Sequence, residues 1–175
     1  MWNFKNFILS IVAILLFGCD SKNNITSYKI KKPSAIILKW IAPKTWQEIP
    51  PGKMLLASFN AFDSKNKSID ISISMFPGNV GGTEGNVNRW RKQINLSPQN
   101  SEQISKYIQP VVLPLLGDAE IVFLKNNENN KSIKTIIIPN QNGQTIFIKM
   151  IGNLDSILEL QSDFDLFYQS IYWGN

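Results

Sequence analysis

Apolar and polar residues change rhythm along the chain, and each rhythm predicts a different element. The first stretch is a continuous apolar run, Phe7 to Phe17, with Lys5 before it and the polar Asp20-Ser21-Lys22-Asn23-Asn24 after it. A bilayer-spanning helix needs about 20 apolar residues, so this run is too short to cross and reads as the core of a removable secretory signal peptide. Residues 54–62 are apolar enough for a strand. In residues 69–76, Ile69, Ile71, Ile73 and Met75 alternate with Asp70, Ser72 and Ser74, the pattern of a half-buried antiparallel strand. The polar Asp63 to Ser68 joins the two as a hairpin. Residues 119–125, 133–139 and 145–151 predict a three-stranded meander, connected by Asn126 to Asn130 and by a turn holding Asn142-Gly143, where positive φ is cheap.

Two segments carry helical spacing instead. Residues 86–96 place Val87, Trp90 and Ile94 on one face, and the C-terminal stretch repeats Ile157, Leu160, Phe164, Phe167, Tyr168 and Ile171 at spacings of three and four, with one adjacent pair. Asp163 and Asp165 fall in the first turn expected after Ser162. Strands with helices inserted and appended predict an α+β fold, an antiparallel β-sheet flanked by helices. The division expected is a signal peptide over 1–18, a flexible tether over 19–34 and one globular domain over 35–175. The tether reading rests on a polar stretch with Lys22, Lys29, Lys31 and Lys32 and little that could pack.

Composition changes this picture mainly by exclusion. The 175 residues hold no histidine and one cysteine, which removes Ser-His-Asp and Cys-His catalysis, histidine zinc sites and internal disulfides. Losing residues 1–18 takes only Lys5 from the 18 cations, leaving 17 against 13 carboxylates and a modest formal charge of +4. No nucleic-acid motif accompanies that charge, so no nucleic-acid partner is expected. No cofactor or metal motif occurs either. Asp118 and Glu120 share one strand face and are the one carboxylate pair to weigh for a hydrolase or Ca²⁺, against the plain reading of solvated charges.

The end of the apolar run, Leu16-Phe17-Gly18-Cys19, resembles the bacterial lipobox, with Phe17 the departure from its pattern. The resemblance implies diacylglyceryl attachment to the Cys19 sulfur, cleavage between Gly18 and Cys19, and further acylation, by palmitate for example, of the new amino group. Two or three chains anchor stably where one is marginal. The implied localisation is the bacterial cell envelope, held to a membrane lipid through acylated Cys19 with the domain facing the periplasm or exterior. Asp20 resembles an inner-membrane retention signal used by some bacteria, and the choice of membrane stays open.

The glycine-rich Phe76 to Asn86 lies between a predicted strand and a predicted helix. Gly81 and Gly82 could offer backbone N–H groups to an anion, or simply make a tight crossing with Thr83 or Asn86 capping the helix. The next block, Asn86-Val87-Asn88-Arg89-Trp90-Arg91, sets two guanidiniums beside an indole. That combination suits an anionic or sugar-bearing ligand or a protein hot spot. The alternative places Trp90 in the core and pairs Arg89 with an internal carboxylate.

Together with Trp40-Ile41-Ala42-Pro43-Lys44-Thr45-Trp46, Ala57-Ser58-Phe59 and Phe147-Ile148-Lys149-Met150-Ile151-Gly152, these blocks resemble a family of bacterial exported proteins and lipoproteins with no established reaction. Its most specific part is Asn86-Val87-Asn88-Arg89-Trp90-Arg91-x-Gln93. That family, and this order of hairpin, helix, meander and C-terminal helix, is similar to the PsbP-like fold, an α/β/α sandwich. The resemblance implies assembly or binding, and transfers no activity. The first expectation is therefore a non-enzymatic envelope lipoprotein binding an envelope protein partner through Asn86, Arg89, Trp90, Arg91, Gly81 and Gly82. The second is a carrier of a small amphiphile or anion in a cleft between sheet and helix, and a histidine-free hydrolase has the least support.

Overall fold

The computed structural model describes residues 37–174. The signal peptide, the Gly18-Cys19 junction and the tether expected from the sequence lie outside the described residues. Nine strands are described: β1 (Ile37–Lys39), β2 (Gln47–Ile49), β3 (Leu55–Phe62), β4 (Ser68–Pro77), β5 (Ile108–Leu113), β6 (Gly117–Asn126), β7 (Lys131–Gln141), β8 (Gln144–Asn153) and β9 (Tyr172–Gly174). Helices α1 (Gly82–Gln93) and α2 (Ser101–Ser105) follow β4, and α3 (Leu154–Glu159) and α4 (Gln161–Gln169) follow β8. Seven strands form one antiparallel sheet in the order β2-β3-β4-β8-β7-β6-β5, while β1 pairs with β9.

One face of the sheet carries the larger core. Register sets Ala57, Phe59 and Ala61 of β3 opposite Ile73, Ile71 and Ile69 of β4, and Ile146, Ile148 and Met150 of β8 continue the same surface. Ile157 of α3 and Phe164 and Phe167 of α4 close over it. Phe167 packs against Trp46 at 4.9 Å and edge-on to Phe59 at 5.5 Å between ring centroids. The C-terminal apolar spacing therefore buries the face it predicted, but in two helices rather than one. Leu160 joins them with ψ near 8°, while Leu160 N still donates to Ser156 O and Phe164 N to Leu160 O.

The opposite face is covered only in part. Val87, Trp90 and Ile94 of α1 and Ile104 of α2 pack on Val122, Leu124, Ile133, Ile137 and Phe147 of β6, β7 and β8. Helices thus lie on both faces, and the architecture is α+β, a sheet between helical layers. This uneven cover explains the sequence pattern. The strands beneath both layers read as near-continuous apolar runs, such as Ile146-Phe147-Ile148. In β4, where α1 does not reach fully, Ser72 and Ser74 take the second face and alternate with buried isoleucines.

The hairpin and meander follow the expected turns. Asn142 and Gly143 both have positive φ, 52° and 74°, in the two-residue connection of β7 to β8. The turn after β3 is closed by Asp63, whose carboxylate accepts from Lys65 N, Lys67 N and the Ser156 hydroxyl of α3. Those bonds, the Ser156 one foremost, hold its pKa below the ordinary carboxylate value.

Candidate functional site

The block Asn86 to Gln93 lies in α1, and most of its side chains are committed to holding that helix in place. The helix starts earlier than its apolar spacing suggests, at Gly82, because left-handed Gly81 (φ 77°) turns the chain into it. Neither Thr83 nor Asn86 caps it. Asn86 sits one turn inside, and its amide donates to Val80 O and Gly82 O at 2.8 Å each. Asn88 makes a two-way bond with the backbone of Gln99, donating to its O and accepting from its N. Left-handed Asn95 ends the helix in a Schellman turn, with Leu96 N bonded to Arg91 O and Asn95 N to Lys92 O. Asn126 and Asn129 of the β6–β7 region then donate to Ile94 O.

The two arginines separate. Arg91 is buried, donates from Nε to Ser97 O at 2.7 Å and lies 5.9 Å over the Tyr107 ring. Trp90 is 6% exposed, edge-on to Phe147 at 5.8 Å. Arg89 is exposed and gives one hydrogen bond, from Nη1 to Asn86 Oδ1 at 3.0 Å. Among the described residues no carboxylate lies within ion-pair distance of it. The internal carboxylate partner weighed for Arg89 is thus absent among them, and Asn86 takes that place.

Arg89 borders a cleft of about 150 Å³ between α1 and the β3-β4-β8 part of the sheet. The helix contributes Asn86, Arg89, Trp90 and Gln93, spaced three, four and seven apart and hence on one side. The sheet contributes two cross-strand rows. Leu55, Ser74 and Phe147 stand opposite one another in the first, and Ser72 and Lys149 in the second. Lys149 Nζ donates to Gln93 Oε1 at 3.1 Å, and burial pulls its pKa below the ordinary 10.5 against the raising influence of Asp70. The cleft therefore places a guanidinium and a half-buried ammonium among neutral hydrogen-bond acceptors, hydroxyls and aromatic walls.

On the other side of Asn86 and Phe147 lies a hollow of about 350 Å³, under the glycine loop and lined also by Gly78, Thr83, Glu120, Ile137, Pro139 and Thr145. The loop is pinned here: Gly78 N donates to Gly143 O, and Thr145 Oγ1 to Gly78 O. Gly81 is favoured by its positive φ, and its open side faces the Arg89 guanidinium. Gly82 is also left-handed, at φ 58°.

Glu120 accepts from Thr83 Oγ1 at 3.3 Å, whereas Asp118 is exposed at the start of β6. Among the described residues no cluster of three or more acidic or sulfur ligands could hold a metal ion.

Sequence reasoning reached Arg89 by residue type but missed Lys149, Ser72, Ser74 and Gln93 as site residues. Two signals pointed to them. Lys149 interrupts an otherwise apolar strand, and the serines form the polar half of the cleanest alternation in the chain.

No protein-family profile matches the chain, and no curated protein matches it in sequence. Similar arrangements occur among solved structures. LpqN, involved in cell envelope biogenesis of Mycobacterium tuberculosis, is 13% identical with a TM-score of 0.46, over 83% of this chain and 87% of that one. The PsbP of the cyanobacterium Synechocystis is 13% identical with a TM-score of 0.44, over 85% and 99%. A Bacteroides thetaiotaomicron protein is 12% identical with a TM-score of 0.42, over 79% and 45%. At such identities the likeness concerns the fold, and no activity, ligand or partner passes from these proteins to this chain.

Proposed function

We propose that the protein is a lipid-anchored component of the bacterial cell envelope whose α+β domain binds rather than catalyses, using the α1 side of its sheet. The anchor reading is supported by the sequence Leu16-Phe17-Gly18-Cys19, in which the chain's sole cysteine stands where the apolar run ends. Among the described residues no helix is long and apolar enough to cross a membrane. The observation that carries the binding reading is the pair of cations, Arg89 and Lys149, bordering one cleft with no carboxylate within ion-pair distance of either among the described residues, Asp70 acting on Lys149 only from farther off.

A cleft of this kind favours a small ligand over a flat protein interface. Trp90 is covered by the sheet and Arg91 by its own helix end, so neither contributes to a surface patch of the hot-spot type.

Cys19→Ser tests the anchor. It should free the protein from membranes or leave it as uncleaved precursor, and a mature, membrane-bound product would end that reading. Crosslinking in intact envelopes tests the site: Arg89→Ala should change what is captured, and capture identical to wild type would remove Arg89 from the binding site.

A further inference from the structure

The two hollows beside α1 differ in charge, and that difference assigns an orientation to a ligand. At the α1–β4–β8 end, a guanidinium has five N–H donors and a lysine ammonium three. Arg89 gives one to Asn86 and Lys149 one to Gln93, both neutral amides. The remaining donors have no protein acceptor among the described residues, and the Ser72 and Ser74 hydroxyls stand beside them. Lys149 is drawn partly out of water, a cost that Asp70, beyond ion-pair distance, offsets only in part, whereas the free donors of exposed Arg89 face solvent. At the other end, the Glu120 carboxylate lines the larger hollow and repels an anion, while Ile137, Pro139 and Phe147 offer apolar surface.

Asn86 and Phe147 line both hollows, so the two share these side chains as a common wall. The larger, at about 350 Å³, by itself falls in the lower range of small-molecule sites, about 300–1,000 Å³, and the cationic one beside it measures about 150 Å³. Leu55, Phe76 and Trp90 continue the apolar wall into the cationic end.

We propose that this paired cleft binds a small amphiphile with an oxyanion head, carboxylate or phosphate, held between Arg89 and Lys149, and with its apolar body lying past Phe147 toward the glycine loop. This deepens the binding reading above and rests on it. The head displaces water from donors the fold leaves unused, and the body covers apolar surface.

Calorimetric titration of the full chain in phosphatidylcholine nanodiscs, with empty nanodiscs as blank, tests it. The probes are hexyl phosphate, hexanoate, inorganic phosphate and hexanol. One saturable site is expected for hexyl phosphate or hexanoate, and the tighter of the two identifies the head. Hexanol and inorganic phosphate should each bind at least tenfold more weakly. Arg89→Gln and Lys149→Gln should each weaken binding about tenfold, and Lys149→Arg should retain it, which separates lost charge from lost fold. No saturable binding by either amphiphile, binding by hexanol equal to theirs, or undiminished binding by the Arg89→Gln/Lys149→Gln double variant would overturn the proposal. If the amphiphiles fail while envelope capture still depends on Arg89, the ligand class falls and the binding domain stands.

Discussion

Replacing Trp90, Arg91 and Arg89 one at a time by alanine separates the residues that hold α1 from the one that faces the cleft. Trp90 is 6% exposed, and a buried aromatic side chain removes about 150–250 Å² from water. At about 25 cal/mol per Å² that is worth about 4–6 kcal/mol, an upper figure because the unfolded chain already buries part of the area. The edge-on ring contact with Phe147 is included in the loss. Trp90→Ala should therefore cost about 3–5 kcal/mol, a large share of the about 5–15 kcal/mol that stabilises a typical domain. Arg91→Ala removes a buried charged hydrogen bond to Ser97 O and should cost about 1.5–3 kcal/mol. Arg89→Ala, exposed and bonded once, should stay within about 0.5 kcal/mol of wild type. Urea unfolding followed by far-ultraviolet circular dichroism measures all three at once. A Trp90→Ala loss under 1 kcal/mol, or an Arg89→Ala loss as large as that of Trp90→Ala, would refute this division of roles.

Other perturbations test separate parts of the account. Lys134 is buried and bonds to Asp165 at 2.7 Å, so Asp165→Ala strands a buried cation and should cost about 3 kcal/mol, most of which Lys134→Met/Asp165→Leu restores; an Asp165→Ala protein as stable as wild type would refute this. Asp63 has a lowered pKa, so the stability it contributes is present above the unfolded carboxylate value near 3.9 and is lost as pH falls through its folded value. The melting-temperature gap between wild type and Asp63→Asn should be full at pH 6 and close in strong acid, and a constant gap from pH 6 to 2 would contradict it. Lys149 has a lowered pKa, so it loses its charge, as pH rises, before an ordinary lysine does. Affinity for the amphiphilic anion should decline in the alkaline range below pH 10.5, and Lys149→Arg should remove that decline; a pH profile shared by both proteins would exclude Lys149 from the site.

The fold was legible where one face of an element is wet. Strand β4 shows its period because Ser72 and Ser74 face a part of the sheet that α1 leaves open, and the β7–β8 turn shows itself because Asn142-Gly143 supplies two positive φ angles. Strands β1, β2 and β9, at three residues each, and the five-residue α2 are too short to establish a period. Strand β5 is disguised by Pro110, a residue a strand tolerates at a sheet edge, where β5 lies.

The site was legible only by residue type. Arg89 and Arg91 are equivalent in the sequence, yet two positions along a helix turn the side chains about 200° apart, so one reaches the cleft and the other the Ser97 loop. Lys149 comes to the same cleft as Arg89 because β8 pairs with β4, a contact between segments far apart in the chain that no local pattern encodes.

The most direct test of the central claim, that the α1 side of the sheet is where this protein binds, is a map of backbone amide resonances in the nanodisc-held full chain during titration with hexyl phosphate. Shifts should concentrate in Ser72, Arg89, Gln93, Phe147 and Lys149 and extend past Phe147 to Thr83 and Thr145. Shifts centred instead on the exposed Val112 and Leu115, with the cleft resonances unmoved, would contradict it.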